Sequence, residues 1–151
     1  MLLAALDAVT TSAKPMPNPD HWREAIRAAV DGSATMVTWA LSAIGGSIIA
    51  IVSTSYWRPA DVRVRSIYLL FFPAWIVLAR SMYLGDKIAR RNIAARFVSP
   101  DMLQEIARGL NLDYMNQQTS LSIGLSFLGL WLACYLLWWI YGEWTTNKEG
   151  K

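Results

Sequence analysis

At 151 residues the chain is long enough for one soluble domain with a full core, but 54% hydrophobic and only 17% charged residues exclude that reading. The formal net charge is +3, and no charged residue lies between Asp31 and Arg58, between Arg65 and Arg80, or between Asp113 and Glu143. The first and third gaps each accommodate a helix crossing a ~30 Å hydrocarbon core, which takes roughly 20 residues. The chain therefore reads as an all-α integral membrane protein with three transmembrane helices, an N-terminal surface amphipathic helix and a short helical second loop. Its excess positive charge reads as a topology and headgroup signal, with no call for nucleic acid.

Met1 to Ala13 reads as a short amphipathic segment. It has no basic start, and Asp7 cuts its apolar run, so it does not look like a secretory signal. In "KPMPNPD" the prolines Pro15, Pro17 and Pro19 predict an extended linker. Asp20 is placed to cap a helix to Val30, with Trp22, Ile26 and Ala29/Val30 on one side and Arg23, Glu24 and Arg27 opposite. Such a helix lies along the membrane surface with Trp22 at headgroup level, or docks on a partner subunit. Asp31–Gly32 is expected to break it, which makes 1–32 an N-terminal segment ahead of a membrane domain over 33–142.

The first span is expected over about 34–54. Thr38, Ser42, Gly46, Ala50 and Thr54 recur every four residues and form a ridge of small side chains. Lipid tails are as apolar as leucine, so membrane helices associate by close packing, which such ridges permit. The ridge is read as a packing face, within the chain or against another copy, in preference to a pore lining. "TSYWRPADVRVRS" then turns the chain, with Pro59 ending the helix and Tyr56 and Trp57 suited to the interface.

The second span is short. Ser66 to Ala79 reach only about 21 Å at 1.5 Å per residue, so the span must extend to about residue 84 and take in Arg80. A long arginine near a span end snorkels to the headgroups without needing an ion-pair partner. Pro73 is expected to kink this span; a re-entrant hairpin is the alternative. Beyond Gly85, residues 85–120 read as a helical loop too small for a core of its own, dependent on the membrane surface or a partner. In it Lys87, Arg90 and Arg91 share one helical face, and Ser99–Pro100–Asp101 start a new helix.

The third span is expected over 121–141, with Ser122, Ser126, Gly129 and Ala133 as a second small-residue face. Trp131, Tyr135 and Trp138 line up at helical spacing and are read as facing lipid or a subunit. Residues 143–151 form a polar tail. The N-terminal segment and second loop hold nine Lys/Arg and the first loop and tail five, which favours a cytoplasmic N-terminus.

No residue pattern calls for catalysis. The one histidine, His21, lies outside every span, no His/Cys/carboxylate cluster suggests a metal, and no glycine-rich phosphate fingerprint is present. "LSIGLS" lacks the strand–turn–helix context of a nucleophile elbow. No acidic residue lies within a span to relay protons. Cys134 stands alone, so no internal disulfide forms.

The expectation is a non-enzymatic accessory subunit of an oligomeric inner-membrane complex of the secretion, conjugation or energy-converting type, without cofactor. Its partners are membrane lipids and other membrane subunits or copies of itself. Thr38, Ser42, Gly46, Ala50, Ser122, Ser126, Gly129 and Ala133 are the expected helix-packing residues. Trp22, Arg80, Lys87, Arg90 and Arg91 are the expected lipid- or partner-docking residues. The rival readings are a holin- or effector-like pore former and a membrane immunity or inhibitor protein.

Overall fold

The computed structural model describes residues 19–53 and 66–146, all of it helix apart from one short turn. Readings of the first eighteen residues, of the first loop with Thr54, Tyr56, Trp57 and Pro59, and of the last five residues fall outside the described residues. Helix α1 spans Pro19–Ser53, α2 spans Phe71–Ala95 behind a 3-10 segment Ser66–Leu70, and α3 spans Pro100–Thr146. All three pack against one another as an up-down-up bundle. Three segments, Trp22–Ser53, Ser66–Ala95 and Met102–Tyr141, are long and apolar enough to cross a membrane, as a multi-pass protein requires.

A seven-residue repeat holds the bundle together. On α1 the buried positions are Ile26, Ser33, Ala40 and Ser47; on α3 they include Leu103, Leu110, Gln117, Gly124 and Trp131. On α2, Phe71, Ala74, Leu78, Ser81, Gly85 and Ile88 alternate steps of three and four. This is the repeat that keeps one stripe facing its neighbours in supercoiled bundles. Two glycines make room for apolar side chains of neighbouring helices. A Cβ on Gly124 would lie 2.7 Å from Leu78 Cδ2. One on Gly85 would overlap Val37 Cγ2 and lie 2.9 Å from Gln117 Nε2.

Three expectations change at the element level. Asp31–Gly32 does not break α1, which runs unbroken for 35 residues. Gly32 fits because the Tyr114 hydroxyl lies 2.8 Å from where a Cβ would be, and one glycine costs a helix only about 1 kcal/mol. The stretch from Trp22 to Val30 is therefore the start of the first long helix and packs in the bundle. Pro73 lies at the start of α2, directly behind the 3-10 segment Ser66–Leu70. The chain ahead of it winds as a 3-10 helix, so the proline marks a change of winding.

The third change concerns residues 85–120. At 47 residues α3 is about 70 Å long, more than twice a ~30 Å hydrocarbon core even before tilt is considered. Its N-terminal part forms, with the start of α1 and the end of α2, a core of Ile26, Ile88, Leu103 and Leu110 flanked by Ala29, Val30, Ala95, Ala107 and Tyr114. The loop segment finds its apolar partner in α1. A tight turn closes the α2–α3 pair, with the Phe97 amide donating to the Ala94 carbonyl and the Met102 amide to the Ser99 carbonyl, each at 3.1 Å.

Candidate functional site

Most of the polar groups inside the bundle collect in one band, with Ser47 two heptads away. Gln117 is fully buried and donates through Nε2 to the Ser33 carbonyl at 3.2 Å, and Ser81 Oγ donates to the Gln117 carbonyl at 3.2 Å. Gln117 Oε1 has no partner among the described residues. One helical turn away, the side chain of Asp113 is 8% exposed and takes two cations from α2. Lys87 Nζ donates to Oδ1 at 3.0 Å. Arg91 Nη1 lies 2.8 Å from Oδ2, an ion contact without the alignment of a hydrogen bond. Arg91 also lies over Gly109, where a Cβ would meet Nη1 at 2.6 Å. A buried carboxylate needs such partners, because a lone charge out of water costs several kcal/mol.

The basic cluster of the second loop is thus divided. Lys87 and Arg91 turn into the bundle toward Asp113, and Arg90 pairs with Asp86 at 2.8 Å on the exposed side. Arg80 is exposed on α2, one to two turns toward the apolar end from Gly85, with no carboxylate partner among the described residues. Trp22 is half-buried and lines a cavity between α1 and α3 with Ala29, Ala107 and Leu110.

The small-residue ridges point away from the chain's own interfaces. Thr38, Ser42 and Gly46 are exposed and Ala50 is half-buried; Ser122, Ser126, Gly129 and Ala133 are all exposed. Nothing lies within 4 Å of a Cβ built on Gly46 or Gly129. Thr38 Oγ1 donates to the Ala34 carbonyl at 3.1 Å and Ser126 Oγ to the Ser122 carbonyl at 2.8 Å, so these hydroxyls turn back onto their own helices.

Comparison with family models, with curated proteins and with solved structures finds no match for this chain.

The aromatic stripe on α3 faces inward, against expectation. Trp131 is 6% exposed, lies 4.7 Å from Phe71 and 5.9 Å from Tyr68 between ring centroids, and stacks on Tyr135 at 5.5 Å. Neighbouring Trp75 donates from Nε1 to Ser47 Oγ at 2.8 Å and ties α2 to α1. These rings fill the end of the bundle where the seven-residue stripe widens, which aromatic groups do by offset and tilted packing. Among the described residues no group of three His, Cys, Asp or Glu converges as a metal site.

Sequence reasoning passed over Ser33, Ser81, Gly85, Asp113 and Gln117. The signal was the seven-residue register itself. Gln117 continues Leu103 and Leu110, and Asp113 lies one helical turn before it on the same face.

Proposed function

We propose that this chain is a non-enzymatic accessory subunit of an oligomeric membrane complex, of the secretion, conjugation or energy-converting type. The observation that carries the reading is the separation of two kinds of small-residue stripe. The chain spends Ser33, Ala40, Ser47, Ser81, Gly85 and Gly124 on its own bundle. It leaves Thr38–Ser42–Gly46 on α1 and Ser122–Ser126–Gly129–Ala133 on α3 uncovered. Shallow faces of this kind admit another helix at close range, and lipid chains fill them less well. The nine Lys/Arg of the N-terminal segment and second loop favour a cytoplasmic end at the α2–α3 turn, in an inner membrane.

A pore lining by the same α1 face is the weaker reading. The Thr38 hydroxyl spends its one proton on the Ala34 carbonyl, which leaves a lumen only its acceptor lone pairs. The test is purification of the full chain from its native membrane in mild detergent, with native mass and composition. A discrete complex of more than one chain, with no loss of membrane potential on expression, is expected. A lone monomer would end the assembly reading, and depolarisation of expressing cells would favour the pore.

A further inference from the structure

Beyond the packing faces, the extramembrane end of the bundle carries a cleft of about 450 Å³ between α1 and α2. Its floor is apolar, made by Ile26, Ala95 and Leu103, of which Ile26 and Leu103 are buried. Its walls are not. Arg23 and Arg27 stand four apart on one face of α1, and Asn92 on α2 and Arg96, the residue that caps α2, stand four apart across the opening. No carboxylate among the described residues lines it. Arg23 has a further contact within the chain. Arg27 and Arg96 have no carboxylate partner among the described residues, in contrast to Lys87, Arg90 and Arg91, which are all ion-paired.

We infer that this cleft binds a water-soluble, phosphate-bearing small molecule, held between Arg27 of α1 and Arg96 at the C-cap of α2. Two guanidinium groups opposed across a cleft match the double charge and several acceptor oxygens of a phosphate ester, where one carboxylate satisfies only one of them. Asn92 supplies a neutral donor, and the floor of Ile26 and Leu103 suits an apolar or planar portion of the ligand.

The position separates an aqueous ligand from a lipid headgroup. Arg27 lies six residues before Ser33 and Arg96 eleven after Gly85, about 9 and 16 Å along the helix axes from the polar band. The Gly85–Gln117 band is where the charged positions give way to the uncharged run of α3. A headgroup layer is only about 5–8 Å thick, so the cleft opens beyond it. Occupancy would bridge α1 and α2, and a ligand that binds only the folded bundle raises its thermal midpoint.

The test uses the full chain in nanodiscs of zwitterionic lipid, titrated calorimetrically with inorganic pyrophosphate and orthophosphate. Saturable pyrophosphate binding that weakens with added salt is expected, together with a rise in thermal midpoint. Arg27→Gln with Arg96→Gln should weaken it at least tenfold. Arg108→Gln, on the opposite α2–α3 groove, should leave it unchanged. Should the double variant lose its helical spectrum, the single Arg96→Gln, at the exposed end of α2, carries the comparison.

Absence of saturable binding below millimolar pyrophosphate overturns the assignment, as does equal binding by the wild type and the Arg96→Gln variant. An Arg27- and Arg96-dependent affinity for phosphatidylglycerol vesicles, with no response to pyrophosphate in zwitterionic discs, assigns the cleft to lipid and overturns it too. So does a response to a glutamate-rich peptide alone. The proposed oligomer is tested separately by native mass, which these variants should not alter.

Discussion

Gly85 is the residue on which the helix crossing turns. It is buried at the level where α1, α2 and α3 meet, and the Val37 methyl and Gln117 amide occupy the space a Cβ would need. Gly85→Ala should lower stability by about 1–3 kcal/mol, the usual cost of overfilling a packed interior. Gly45→Ala, with nothing within 4 Å, should be neutral or gain up to about 1 kcal/mol from helix propensity. Thermal unfolding of both variants in detergent, followed by circular dichroism, checks the contrast; equal midpoints would show that the helices do not cross closely at Gly85. Asp113 is the second such position. Asp113→Asn keeps the shape but leaves Lys87 and Arg91 facing a neutral amide, and should cost about 1–3 kcal/mol. Because both cations are partly exposed and rehydrate, a loss well above that range would point to a further role for the carboxylate. Arg80, exposed and without a carboxylate partner among the described residues, should tolerate lysine, since snorkelling needs only a long cationic stem. A topology reporter fused at the C-terminus should read the same for Arg80→Lys as for the wild type. If Arg80→Lys shifts the reporter as much as Arg80→Glu, a specific bidentate partner is indicated.

At the scale of the element, α1 carries two stripes with different periods, whereas the exposed stripe of α3, Ser122–Ser126–Gly129–Ala133, repeats every seven residues like its buried one. A four-residue period drifts around the helix relative to 3.6 residues per turn, whereas a seven-residue period stays nearly in place. On α1 the seven-residue stripe from Ile26 to Ser47 is buried, and the four-residue ridge from Thr38 to Gly46 is exposed. Gly46→Leu should therefore leave the bundle folded and reduce assembly or accumulation in the membrane. Ile49→Leu, a conservative change at an exposed position, is the matched control and should do neither. Native mass of the two variants separates the cases: normal assembly by Gly46→Leu would mean that the ridge faces lipid.

On the scale of the whole molecule, the bundle is longer than the bilayer it would cross. The band of Ser33, Ser81, Gly85 and Gln117 marks its transition from an apolar shaft to a charged head. In the head, α1 completes a core that the second loop lacks by itself. Positive-inside counting predicts a cytoplasmic head. A cysteine placed at exposed Gln104, with Cys134→Ser as background, should react with an impermeant maleimide only in inverted vesicles or opened cells. Labelling in intact cells would reverse the orientation.

The sequence by itself determined the class. Two long uncharged runs, and a shorter one once extended past Arg80, pointed to three apolar helices, because backbone polar groups in hydrocarbon must be paired within the segment. It also located the charged turn and the small-residue ridges, whose spacing is visible in the order of residues. Tertiary structure decided which stripe each helix buries, since Thr38, Ser42 and Gly46 look as suitable for packing as Ser33, Ala40 and Ser47 until the neighbours are in place. It decided that Asp31–Gly32 continues a helix, with Tyr114 on α3 occupying the space beside Gly32. It also turned Lys87 and Arg91 from a free basic face into partners of Asp113, and brought Arg27 and Arg96, far apart in the chain, to one cleft. Local pattern records what each helix can present. Contacts between helices remote in sequence choose among those faces, and they depend on all three being present at once.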